Sequence, residues 1–237
     1  MCKIPKLRKR IHRKTPYRPH LPVTDLPLRP YQESLLNYLK NDPADHHFNR
    51  QILFIVDPIG DQGKSWFSEW YFDKYHRQPK PDLAGNPTLK TEFVQIQEPG
   101  KKADVAQAVS EDTTVMFFDA TRQQIDCIQY STLEALKNKR IFSSKYESTM
   151  KRLSPMHIIV MMNEMPGFAK TLSKDRFHTW RFNPDHTRTV LSDDEISQHW
   201  NDAQSEVENE KELKLKRELQ QLRNATVYPP FRTRDDY

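Results

Sequence analysis

Glycine is scarce in this chain, with five residues in 237. Cysteine is scarcer still. Cys2 and Cys127 alone exclude a disulfide framework and a zinc site built on cysteines. No apolar run approaches the length of a membrane-spanning helix, and the first residues lack the apolar stretch of a secretory signal, so no membrane partner is expected. Histidines are scattered, and their one close pair, His46 and His47, reads as part of a surface loop. Apolar residues make up 36% of the chain and mean hydropathy is −0.87, so the core must be concentrated in part of the sequence.

Acid is missing from residues 1–20, which hold eight lysines and arginines and leave the rest of the chain mildly acidic. Pro5, Pro16 and Pro19 argue against a continuous helix there. Residues 1–27 therefore read as a disordered basic arm suited to nucleic-acid phosphates or to a nuclear-import receptor. The expected location is intracellular, in the nucleus.

Against this scarcity, two of the five glycines sit in one short loop, Asp57-Pro-Ile-Gly-Asp-Gln-Gly-Lys-Ser65. The loop follows the apolar run Gln51-Ile-Leu-Phe-Ile-Val56 and precedes a helical pattern over 64–75. Strand, glycine loop, Lys-Ser and helix is the context of a phosphate-binding loop. Gly60 and Gly63 permit positive φ, so that the backbone of Gly60, Asp61, Gln62 and Gly63 can approach a phosphate. Lys64 has the reach for terminal phosphates and the Ser65 hydroxyl can ligate Mg²⁺. Pro58 stands where the usual pattern has its first glycine.

The remaining pattern predicts helix over 31–40, loop over 77–90, strand over 92–96, helix over 103–110, strand over 113–118, helix over 130–139, a hairpin within 141–153, strand over 157–162 and a charged helix over 195–223. Continuous apolar strands interleaved with helices indicate an α/β fold with a mainly parallel sheet covered on both faces. Ligands of such sheets bind beyond the carboxyl ends of the strands, where Asp57, Asp119 and Asn163 all fall. Asp119 has the position of the Mg²⁺-holding acid of NTPases. The place after it, where a second acid often serves as base, holds Ala120, which leaves Asp126 or Glu134 as candidates. Asn163 can orient water or touch a γ-phosphate. Arg176, in a loop before 177–182, can neutralise charge on a transferring phosphate across a subunit boundary.

The order Gly60-Asp-Gln-Gly-Lys-Ser65, Val115-Met-Phe-Phe-Asp119-Ala-Thr-Arg122, Ile141-Phe-Ser-Ser-Lys-Tyr-Glu-Ser148, His157-Ile-Ile-Val-Met-Met-Asn163 and Asp175-Arg176 resembles a superfamily 3 helicase. More narrowly, it resembles the helicase half of the replication-associated (Rep) proteins of circular single-stranded DNA viruses, nanovirus-like members above all. Leu28-Arg-Pro-Tyr-Gln32 is similar to the start of that half. The resemblance covers residues 28–182 and implies an AAA+-like P-loop NTPase. Lys64 and Ser65 would then act on ATP and magnesium, Asp119 as the Walker B acid, Asn163 as the motif C sensor and Arg176 as the arginine finger. It also implies a DNA-gripping stretch, with Lys145, Tyr146 and Lys151 as candidates, and a homo-oligomeric ring, a hexamer in this family, moving 3′ to 5′ on single-stranded DNA. RNA stays open as a substrate.

Residues 1–27 have no room for the nickase that Rep proteins carry, and Tyr71 with Lys74 lies inside the helix after the loop. No nicking activity is expected, and whether another chain supplies a nickase stays open. Residues 183–237 read as a charged helix and tail. The expected function is an ATP-dependent helicase or translocase in viral-type replication. Two alternatives stay open: a nucleotide- and nucleic-acid-binding module with little turnover, acting in assembly or regulation, and an ATPase that remodels proteins.

Overall fold

The computed structural model describes residues 26–124, 127–145, 148–168 and 172–225. In chain order its elements are α1 (Pro30–Lys40), α2 (His46–Arg50), β1 (Ile52–Val56), α3 (Lys64–Tyr75), β2 (Pro79–Pro81), β3 (Pro87–Thr91), β4 (Val94–Gln97), α4 (Lys102–Ala108), β5 (Val115–Asp119), α5 (Tyr130–Lys137), β6 (Arg140–Ser143), β7 (Thr149–Arg152), β8 (His157–Met162), β9 (Phe177–Phe182), β10 (Arg188–Val190) and α6 (Asp193–Ala225). The central sheet has six strands in the order β10-β9-β1-β8-β5-β4. All neighbours are parallel except β10, which pairs antiparallel with β9.

Burial on both faces explains why β1 and β8 are apolar at nearly every position. The strand pleat divides β1 between two layers. Ile52, Phe54 and Val56 pack with Val105 and Ala106 of α4, Leu133 and Leu136 of α5 and Ile196 of α6. Leu53 and Ile55 pack with Leu35 and Leu39 of α1 and with Phe67, Trp70 and Tyr71 of α3. Pro30 opens α1, where its missing N–H is harmless, and the Gln32 side chain reaches back to the Arg29 N–H at 2.9 Å. The result is a P-loop NTPase-like α/β fold, as the sequence leads one to expect. No described helix is long and apolar enough to cross a membrane.

Two expectations need correction. The predicted loop over 77–90 contains the hairpin β2–β3. Its turn is held by Asp82, whose carboxylate accepts the Asn86 N–H at 2.8 Å, and by Gly85 at φ +91. The fold also continues past residue 182: β10 joins the sheet, and Leu191 and Ile196 are core residues. The charged helix expected over 195–223 is present as α6, one helix of 33 residues, about 50 Å long at 1.5 Å per residue. Its first turns contribute Ile196, Trp200 and Ala203 to the body, whereas Leu213, Leu215, Leu219 and Leu222 are exposed. Most of the basic arm, residues 1–25, and the tail after 225 lie outside the described residues.

Candidate functional site

The parallel sheet brings three strand ends to one edge. Val56 lies in register with Met162, and Asp119 with Met161. Asp57, Asn163 and Asp119 therefore cap adjacent strands β1, β8 and β5, with Asp119 roughly 10 Å from the β1 axis at ~4.8 Å per strand.

The loop between β1 and α3 takes three departures from ordinary backbone within four residues. Gly60, Asp61 and Gly63 all have positive φ, at 86, 60 and 83°. The φ of +86° favours glycine at residue 60, where a Cβ would stand 3.2 Å from Arg122 Nη2 and 3.6 Å from Asn163 Nδ2 and press on the Arg122 guanidinium. Gly63 is the left-handed residue that starts α3, and it places Lys64 and Ser65 in the first turn.

Asp57 is fully buried and organises the loop. Its carboxylate accepts the Gly60 N–H at 2.8 Å and the Lys64 ammonium at 2.6 Å. Its backbone N–H donates to the Met162 carbonyl, and its own carbonyl accepts the Asn163 amide, both at 2.9 Å. From the other side the segment before and within α1 props the loop. Arg29 donates to the Gln62 carbonyl at 2.6 Å, the Tyr31 hydroxyl donates to the same carbonyl, and the Gln32 amide donates to the Gly63 carbonyl at 3.3 Å. Burial pushes the Tyr31 phenol up to about 12, so it serves as a donor at neutral pH. His186, before β10, meets the Gln62 side chain at 2.5 Å, and Arg122 donates to the Ile59 carbonyl at 3.2 Å.

The structure thus brings together Gly60, Asp61, Gln62, Gly63, Lys64, Ser65 and Asn163, with Asp119 at the same sheet edge. Ser65 is exposed at the start of α3. The Asp119 carboxylate makes no hydrogen bond or ion pair among the described residues. Ala120 is a core residue, and its N–H donates to the Met161 carbonyl at 2.9 Å.

Arg176 is placed elsewhere. It precedes β9 at the amino end of the sheet, where Phe177 pairs with Ile52, a full strand away from the loop. Its side chain is 4% exposed and is bonded within its own subunit, to Asn138 at 2.9 Å and to Glu134 at 3.5 Å. The guanidinium expected to cross a subunit boundary is therefore held inside, and Glu134, proposed as a base, is its partner far from the loop. Asp126, the other candidate base, lies outside the described residues.

The predicted hairpin is present as β6–β7, but its lysines point elsewhere than expected. Lys151 donates to the Gln107 and Val109 carbonyls at 2.8 Å each and so caps the end of α4. Lys145 is ion-paired with Asp104. Tyr146 lies outside the described residues. One exposed face of the hairpin carries Arg140 opposite Arg152 and Phe142 opposite Met150.

Several residues of the loop environment were missed as site residues. Asp57 carried a signal in its strand-end position, and Arg29, Tyr31 and Gln32 carried one in the segment similar to the start of the Rep helicase half. Arg122 carried one in the motif Val115-Met-Phe-Phe-Asp119-Ala-Thr-Arg122. His186 had no signal, because its approach depends on the β9–β10 turn.

No protein-family model matches the chain. Curated relatives do. The chain is 30% identical over 152 residues to Para-Rep C6 of Subterranean clover stunt C6 alphasatellite, covering 63% of this chain and 46% of that protein. It is 42% identical over 135 residues to Para-Rep C1 of Milk vetch dwarf C1 alphasatellite, 54% of this chain and 39% of that one. It is 27% identical over 118 residues to the master replication protein of Banana bunchy top virus, 50% of this chain and 35% of that one. The chain thus spans less than half the length of these relatives. With several motifs in order on a P-loop NTPase-like fold, the chain is homologous over part of its length to alphasatellite Para-Reps and to a nanovirus master replication protein.

Proposed function

We propose that the chain is an ATP-hydrolysing motor on single-stranded nucleic acid, acting in replication of the viral Rep type. The observation that carries this reading is the loop of Gly60 to Ser65. Its positive-φ backbone and Lys64 are tied to the Asp57 carboxylate, and Asn163 donates to the Asp57 carbonyl, with Asp119 two strands from β1. Backbone N–H groups at the start of α3 would bind phosphate oxygens, and Lys64 would neutralise them. The exposed Ser65 hydroxyl and the Asp119 carboxylate, unpartnered among the described residues, are hard oxygen donors that suit magnesium. Among the described residues no group of three His, Cys, Asp or Glu side chains could hold a metal alone, which fits an ion that draws its other ligands from phosphate and water. Such an ion would offset charge on the transferring phosphoryl group.

The hairpin β6–β7 supplies the surface for the strand. Like charges directly opposite on a ladder are unfavourable, and Arg140 opposite Arg152 makes such a pair, which a polyanion would relieve. Phe142 and Met150 beside them offer an apolar surface for bases. Assembly into a ring, with the basic arm as a further nucleic-acid or nuclear-import element, belongs to the same reading.

A second reading has its own support. Ala120 is sealed in the core where an NTPase often has its base, which favours a binding module with slow turnover. Phosphate release from ATP, measured with and without single-stranded DNA and RNA, separates the two. The motor reading expects stimulation by the strand and its loss in Lys64→Ala. Release unaffected by the strand, or undiminished in Lys64→Ala, overturns it.

A further inference from the structure

We infer that Asp57 is an internal competitor for the phosphate-binding lysine and sets how tightly the loop takes a nucleotide. This rests on the nucleotide reading of the loop. The carboxylate of Asp57 does what a phosphate oxygen would do. One oxygen accepts a loop N–H, from Gly60, and the other accepts the Lys64 ammonium.

The arrangement is built to stay. Asp57 has no exposed surface, and all of its polar groups are engaged, the backbone pair with Met162 and Asn163. The acid is therefore fixed and the lysine is the movable partner, with a long stem and a side chain 10% exposed. To meet a terminal phosphate, Lys64 must give up or share a short charge-assisted bond, and the incoming phosphates also face a buried negative charge. Both effects weaken binding. Neutralising Asp57 frees Lys64 while an asparagine oxygen can still accept the Gly60 N–H.

The test is calorimetric titration of ATP with magnesium into the full chain, Asp57→Asn, Lys64→Ala and the double variant, with folding checked by circular dichroism. The expected result is roughly tenfold tighter binding for Asp57→Asn, the scale of one charged hydrogen bond, with most of the gain lost when Lys64 is absent. Equal or weaker binding by Asp57→Asn, with the parent binding normally, overturns the inference and leaves the nucleotide site standing. A full gain in the Lys64→Ala background overturns the route through the lysine. ATP binding by none of the four proteins overturns the nucleotide reading itself. If Asp57→Asn does not fold, Asp57→Ser carries the comparison. Failure of both to fold beside a folded Lys64→Ala overturns a role confined to affinity.

Discussion

The side-chain amide of Asn163 donates to the backbone carbonyl of Asp57 at 2.9 Å, which ties the end of β8 to the first residue of the loop. This bond holds the loop in place independently of any contact Asn163 makes to a ligand. Asn163→Ala should lower stability by about 1 kcal/mol and weaken ATP binding. Asn163→Asp should be worse in both, because it sets a carboxylate against a carbonyl. Thermal melts and ATP titrations check this. Parental affinity with reduced turnover in both variants would confine Asn163 to the chemical step.

The hairpin divides its basic residues into two kinds. Arg140→Ala and Arg152→Ala should weaken binding to a single-stranded oligonucleotide and flatten the dependence of log affinity on log salt by about 0.7 each. Lys151→Ala should instead lower the melting temperature, because it removes the donor for the Gln107 and Val109 carbonyls, and should leave the salt slope alone. Fluorescence anisotropy over a salt series reads both. An unchanged slope in the double arginine variant would remove the hairpin face as the track.

Arg176 is a buried tie between the start of β9 and the end of α5. Arg176→Ala should cost roughly 1 kcal/mol by removing its hydrogen bond to Asn138 and its pairing with Glu134. Chemical denaturation measures it. A variant with parental stability and collapsed ATP turnover would restore the trans-acting role that the sequence suggested.

Acid should destabilise the fold through two histidines. Burial holds His157 at about 3 and His178 at about 4, both below the ordinary 6.5. The His178 Nε2 accepts the Trp180 indole N–H at 2.9 Å, which requires the unprotonated nitrogen. As pH falls below 6.5 the unfolded chain binds protons that the folded chain refuses, so stability present above 6.5 is lost toward pH 4. Each histidine contributes up to about 1.4 kcal/mol per pH unit. Urea midpoints should fall between pH 7.5 and 5, and His157→Gln should show a shallower fall.

How far the fold could be read in advance depended on where its signals lie along the chain. β1, β5 and β8 were legible because burial on both faces demands unbroken apolar runs, and α3 because the glycine loop fixed its start. β2 and β3 were hidden by their prolines, lysines and threonines, since a small two-stranded ribbon has no buried face to impose a pattern. The loop lysine and its glycines were legible as a motif. The roles of Lys145, Lys151 and Arg176 were not, because a charged side chain looks the same in sequence whether it faces a ligand or caps a neighbouring helix. Asp57 shows the converse: its importance comes from three partners, Gly60, Lys64 and Asn163, that only the folded loop brings to it.

The length of α6 has a consequence for melting. Its first turns are packed on the body through Ile196, Trp200 and Ala203, so the costly helix nucleus is supplied by tertiary contacts. The exposed distal turns then persist by propagation alone, at close to zero free energy per residue. Helicity should fray from the free end on mild warming, seen as a sloping far-ultraviolet signal, while tryptophan fluorescence from the body stays flat until the core gives way.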